Sequence, residues 1–394
     1  MRVRLRRCLI SVLVSMIVLP ALAVLNAPPA AAVSGFTAGD IVVTRVGDGS
    51  VFASGTAAPV FLDEYAPSGT LVQSVPLPAV TSGSNRRLTE SISATSEGAL
   101  ALSQDGHYLT LAGYDAAPGT ASVASSAAGT VNRVVARVDG AASVDTTTTI
   151  SNAFSGNNVR GAVTDSGSNF WVAGATSGVQ RVALGGTTSA AISTGTLVNL
   201  RTISITAGQL YASTSSGTPG VYAVGSGVPA TGGQALTLVT GTGASTSPYA
   251  FAALDRDPGV PGIDTLYIAD DTNAVGIRKY SFDGAAWTAR GTFAPANKAV
   301  TGTVGTTGIT GSVTGSAATL FGTTTDGQVV KVVDSAGFNA TISASGTQLA
   351  TAANNTAFRG VAFAPTLATV APAITTQPQD TTITSGATAT LSVT

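Results

Sequence analysis

The chain has 394 residues, 44% hydrophobic, 6% aromatic and only 10% charged, with 46 glycines. Charge at less than half the usual ~25% excludes a chain kept unfolded by its own repulsion, and no basic stripe points to nucleic acid. One histidine and one cysteine exclude a disulfide framework and any site built from several thiolates or imidazoles.

Residues 1–32 read as a separate object. "MRVRLRR" is cationic, "CLISVLVSMIVLPALAVL" is apolar, and "NAPPAAA" supplies small residues for cleavage after Ala32. This is the layout of a secretory signal peptide. The 18-residue run Cys8–Leu25 is also just long enough to span a bilayer, but Pro20 and the alanine cluster favour cleavage. Cleavage removes four arginines and the single cysteine, leaving acids in excess. The expected product is secreted or held at the cell surface, a monomer, with no membrane span and no affinity for nucleic acid.

From residue 36 onward, short period-2 runs alternate with Gly-rich turns, the pattern of antiparallel hairpins. The block at 39–78 holds "DIVVTRVG", "VFLDEY" and "TLVQSVPL", three strands with a fourth missing. "GALALSQDGHYLTLAGYD" at 98–115 gives two strands around a tight turn, and "NRVVARVDG" a third. Then four phrases repeat: "NFWVAG" at 169–174, "QLYAST" at 209–214, "TLYIAD" at 265–270 and "TLFGTT" at 319–324. Each places an aromatic third: Trp171, Tyr211, Tyr267 and Phe321. Several follow an apolar run such as "RGAVTD" or "RTISIT", and each precedes another, such as "GVYAV" or "GQVVKV". "TARGTF" at 288–293 and "ATISAS" at 340–345 are expected fourth strands.

A four-stranded unit recurring every 40–50 residues or so is the signature of a β-propeller blade. The expectation is an all-β, six-bladed β-propeller over 36–366, with seven blades as the alternative. "FRGVAFAP" at 358–365 echoes "RGAVTD" and has no strands of its own after it. It is expected to complete the first block, closing the ring and covering two open sheet edges. Residues 367–378 read as a Pro/Ala/Thr linker. Residues 379–394 hold two strand-like runs around "SG", too few to bury a core, so the natural chain is expected to continue.

"ITTQPQDTTITSGATATLSVT" resembles the opening strands of bacterial immunoglobulin-like domains. Residues 36–366 resemble the propeller region of secreted bacterial multidomain proteins, through "GDIVVTRVGDGS", "VFLDEYAPSGTLVQSVPLP", "TSEGALALSQDGHYLTLAGYD" and "LDRDPGVPGIDTLYIAD". The resemblance implies export and a modular architecture. It supplies no catalytic motif.

Candidate chemistry is sparse. His107 follows "QDG", where Asp and Gly favour a hairpin turn, so it is read as a turn residue. No GxSxG elbow or phosphate-binding loop is present. Asp63 and Glu64 are adjacent on a strand and point to opposite faces. Asp255, Asp257, Asp264 and Asp270, with Asp271 beside them, form the one acid-rich stretch. Oxygen ligands in a Gly-rich loop suit calcium, which makes these four the candidate metal ligands. The repeated aromatics are expected to pack between blades. The function expected is a non-catalytic scaffold that binds an extracellular protein or polysaccharide. The alternative is a targeting domain for a secreted hydrolase of nuclease or phosphoesterase type, encoded beyond residue 394.

Overall fold

The computed structural model describes residues 33–243, 246–298, 302–368, 382–388 and 390. Residues 1–32, expected to be a signal peptide, and most of 367–394, expected to be a linker and the start of an immunoglobulin-like domain, lie outside the described residues. Within that stretch, Ser385–Gly386 forms a turn, closed by the Ala387 N–H donating to the Thr384 carbonyl at 3.0 Å.

Short runs of β-branched residues separated by Gly turns produce strands almost throughout. Among the described residues, one 3₁₀ turn, Val123–Ser125, accompanies 25 strands. The repeated phrases are strands as expected: Asn169–Gly174, Gln209–Thr214 and Thr265–Asp270, with "TLFGTT" inside Ala317–Thr324. "TARGTF" lies within Trp287–Phe293. "ATISAS" is only partly right, because the outer strand runs later, over Ala344–Thr351. There the chain must first loop back, with the Ser343 N–H held by the Asp334 carboxylate at 3.1 Å.

Four sheets have four strands each, and every strand pairing in them is antiparallel. Each begins at an inner strand and works outward in chain order. The inner strands are Val159–Thr164, Ile203–Thr206, Pro248–Leu254 and Thr306–Thr314. The remaining nine strands form a composite sheet, in which short Thr89–Ser91 pairs with Ala57–Tyr65 on one side and Tyr108–Tyr114 on the other. Its second half starts from the inner strand Ala101–Leu102. Its first half takes its inner strand from the far end of the chain. Ala357–Phe363 pairs antiparallel with Ile41–Val46, setting Ile41 opposite Phe363 and Val43 opposite Val361. The missing fourth strand of the opening block is therefore supplied by the tail.

Burial falls off at the outer strands. Val159–Thr164 and Thr265–Asp270 are buried along their whole length, whereas the outer strand Trp287–Phe293 is largely exposed. The repeated aromatics join each sheet to the next. Trp171 packs with Ile203 and Leu210, and its indole N–H donates to the Pro229 carbonyl at 2.7 Å. Tyr211 meets Phe251 edge-on at 6.4 Å. Tyr267 packs with Ile309 and Leu320, and Phe321 with Ile41, Val43 and Phe358. Buried aromatics offer large apolar area, and the edge-on pair adds about 0.5–1.5 kcal/mol beyond it.

Candidate functional site at the channel mouth

The six innermost strands or their approaches line one central cavity of about 310 Å³. Neighbouring inner segments are tied at matching levels. Ala99 N–H donates to the Arg160 carbonyl at 3.2 Å, Gly360 N–H to Gly98 at 3.0 Å, and Thr202 Oγ1 to Tyr249 at 3.0 Å. Further along, Gln104 N–H reaches Thr164 and Thr366 N–H reaches Gly106. The inner segments thus run side by side in one direction around the cavity. Sheets closed into a ring about a channel make a β-propeller.

Close approach here depends on missing side chains. A Cβ on Gly360 would lie 2.3 Å from Leu100 N, and one on Gly98 would lie 2.6 Å from a Glu90 carboxylate oxygen. Because all inner segments run the same way, residues at their starts gather at one end of the channel. That level holds Glu97, Tyr249, Thr307 and Arg359 on the cavity wall, with Arg160 and Arg201 next in the chain to the lining residues Gly161 and Thr202. A second concavity of about 430 Å³ shares Thr95, Thr307 and Arg359 with the first. The charged level therefore sits where the channel opens outward.

The carboxyls at this end are deeply buried. Glu97 is 3% exposed and accepts hydrogen bonds from Ser91 N–H (2.8 Å), Tyr114 Oη (2.6 Å) and Asn158 Nδ2 (2.6 Å). Burial still raises its pKa, the three hydrogen bonds acting against the shift. Glu90, behind Gly98, is 0% exposed, and neither carboxyl oxygen has a hydrogen-bond partner. Burial, reinforced by the Glu97 charge, pushes its pKa well up, with Arg359 opposing. Burial thus favours the uncharged form of this carboxyl.

Among the described residues, Arg160, Arg201 and Arg359 form no ion pair. Arg160 Nη1 donates to Asn199 Oδ1 (2.6 Å) and the Leu200 carbonyl (2.7 Å). Burial and the neighbouring Arg201 charge lower its pKa to about 10. Arg201 Nη1 donates to Tyr249 Oη at 2.8 Å, with its guanidinium 4.4 Å from the ring centre. Arg359, 8% exposed, donates through Nη2 to the Ile92 carbonyl at 2.9 Å. Burial lowers its pKa, against the nearby Glu90 and Glu97 charges.

The residues singled out from sequence lie elsewhere. His107 occupies the turn before Tyr108–Tyr114, its N–H bonded to Ser103 Oγ and Asp105 Oδ1 at 3.1 Å each. Its Nδ1 lies 3.2 Å from the Thr366 carbonyl, against the tail that follows the closing strand. Asp63 pairs with Arg45 at 2.6 Å, while Glu64 accepts from Thr37 N–H and Gln73 Nε2. Asp255 is exposed. Asp257 caps its own turn through Gly259 N–H at 2.9 Å. Asp264 is fully buried and accepts from the Arg256 and Asp257 N–H groups and Thr265 Oγ1. Asp270 sits at the other end of the strand Thr265–Asp270, roughly 20 Å away at ~3.3 Å per residue. It pairs with Arg278 at 2.7 Å; burial would raise its pKa, but bonds from Thr272 and Arg278 prevail and lower it. Among the described residues, no three His, Cys, Asp or Glu side chains come together as a metal-holding group.

Sequence reasoning missed the charged level. Its signal was the echo between "RGAVTD" and "FRGVAFAP", which marks Arg160 and Arg359 as equivalent positions one residue before a close-packed glycine. "EGAL" at 97–100 and "RTIS" at 201–204 extend the same level.

No protein-family model matches this chain, and no curated protein matches it. Solved structures are similar in fold. A nidogen/laminin complex structure aligns with TM-score 0.48 and 12% identity, over 84% of this chain and 99% of that one. A Pseudomonas aeruginosa periplasmic gluconolactonase aligns at 0.42 and 12%, over 75% and 79% of the two chains. TolB from Acinetobacter baumannii aligns at 0.42 and 8%, over 82% and 67%. Among the described residues, no helix is long and apolar enough to cross a membrane.

Proposed function

We propose that this chain is a secreted, monomeric, six-bladed β-propeller that acts as a non-catalytic binding module of a larger extracellular or cell-surface protein. The observation that carries this reading is the closed arrangement itself. Six inner segments, one counted per blade, surround one channel, and the tail strand pairs with the opening strand. Such a ring fixes its loops on a rigid frame, so loop sequence is free to specialise for a ligand. The ligand class is an extracellular protein or polysaccharide. The acidic balance after signal cleavage argues against nucleic acid.

Catalysis is disfavoured on chemistry. The single histidine is committed to a turn, facing a backbone carbonyl rather than a nucleophile. The buried Glu90 lies behind Gly98, away from any substrate in the channel. The test is to export the whole chain from a bacterial host, sequence its N-terminus and assay the product on glycosides and esters, with and without calcium chelation. The expected product starts at Val33, elutes as a monomer and turns nothing over. Turnover abolished by Asp255→Ala would overturn the reading and restore the calcium site.

A further inference from the structure

We propose that the channel inside the ring is itself a binding site, for a small uncharged molecule with one apolar side and one hydrogen-bonding side. This goes beyond the binding-module reading, which places its ligand on the loops. The first support is the charge of the wall. Among the described residues that line the cavity of about 310 Å³, Glu97 and Arg359 alone are charged, and both stand at the mouth. Their signs are opposite, and neither is free to meet a charge on a ligand. Glu97 is claimed by Ser91, Tyr114 and Asn158. Arg359 donates to the Ile92 carbonyl and shares Gly98 with Glu90: a Cβ on that glycine would lie 2.8 Å from Arg359 Cβ and 2.6 Å from a Glu90 carboxyl oxygen. An ionic ligand would give up its water for a wall with no spare counter-charge, a transfer that is costly.

The second support is that the wall has two unlike halves. Three neighbouring inner segments are joined by their main chains: Gly360 N–H donates to Gly98, Ala99 N–H to Arg160, and Gln104 N–H to Thr164. Past the mouth, this half lines the channel with Leu100, Leu102 and Ala362. The other three segments add hydroxyls from Ser204, Thr206 and Thr310 on either side of Ala250. Alternation along the strands explains why these hydroxyls are available. Ile203, Ile205 and Ile309 are buried in the packing between sheets, so Ser204, Thr206 and Thr310 turn away from it and are half-buried at the channel. Among the described residues, none of these three hydroxyls has a protein hydrogen-bond partner. A cavity of this size, mostly apolar with a few placed polar groups, can hold a small molecule and orient it.

The experiment is fluorescence titration of the purified exported chain with N-phenylnaphthylamine, an uncharged apolar probe, and with anilinonaphthalene sulfonate, the same ring system carrying a charge. The expected result is saturable binding of one uncharged probe per chain, at least about tenfold tighter than the sulfonate. Ala250→Phe and, from a different segment, Ser204→Leu narrow the channel. Each is expected to weaken the uncharged probe at least about tenfold. Thermal melts of the probe-free variants separate a filled channel from a lost fold. Leu238→Ala, on an exposed outer strand, is expected to leave binding unchanged. The proposal is overturned if the unaltered chain shows no saturable binding, if the sulfonate binds tighter, or if Leu238→Ala abolishes binding. Full-strength binding to both folded channel variants overturns it as well. Each of these results leaves the loop-binding reading standing, because none of them probes the loops.

Discussion

Asp334 shows how a single residue organises a dry interface. It is fully buried and accepts from Lys279 Nζ (2.8 Å), Tyr267 Oη (2.6 Å) and Arg256 Nη1 (3.3 Å), with Ala336 and Ser343 N–H on its other oxygen. Burial would raise its pKa, but bonds from Lys279 and Tyr267 prevail and lower it. Asp334→Ala strands two buried cations, so urea unfolding is expected to show a loss of about 3–5 kcal/mol. The folded pKa is depressed, so this carboxylate's contribution is present above the ordinary aspartate range and is lost as pH falls through the lower folded value. Glu90 has the opposite sign. Its folded pKa is raised, so the folded state gains protons relative to the unfolded one, and stability falls as pH climbs above the ordinary glutamate range. The slope from one such group is at most about 1.4 kcal/mol per pH unit. Stability curves measured from pH 4 to 8 should be flatter for Glu90→Gln, and an unchanged slope would refute a neutral Glu90.

At the scale of elements, strand identity was legible because period-2 alternation is local. "NFWVAG", "QLYAST" and "TLYIAD" match observed strands at both ends. "ATISAS" misled because a run of small residues alternates in either of two neighbouring registers, and the Asp334 bond to Ser343 chose the later one. The seam between inner segments was not legible as such. Gly360 looks like any turn glycine in sequence, yet it is where one segment passes within contact of Leu100 and Gly98. Gly360→Ala is expected to destabilise by about 1–3 kcal/mol, through overpacking against backbone that has nowhere to move. Thermal melts of the exported chain measure it.

For the molecule as a whole, stability depends on closure across the length of the chain. Phe358 and Val361 of the closing strand pack with Ile41, Val43 and Phe321, joining the first and last sheets. The tail beyond it stays on the opening block at Ala364, whose N–H bonds the Asp40 carbonyl, and then reaches the composite sheet's second half, where Thr366 N–H bonds the Gly106 carbonyl. Truncation after Thr356 removes the partner of Ile41–Val46 and exposes that strand's edge, and such edges associate. The truncated chain is expected to lose its cooperative melt and to elute as aggregates in size-exclusion chromatography. A monomeric, cooperative truncation product would mean that the ring does not need its closing strand.

The sequence by itself determined the strands, their turns, the aromatic knobs between sheets and the tail's likeness to an inner strand, because each is written in residues a few positions apart. Tertiary structure alone decided which charges meet. Glu97, Tyr249, Thr307 and Arg359 come from four different sheet segments and share one end of the channel only because the inner segments run in parallel around it. The acids that cluster in sequence, Asp264 and Asp270, are conversely parted by the strand between them. Extended backbone separates near neighbours, and ring closure joins distant ones.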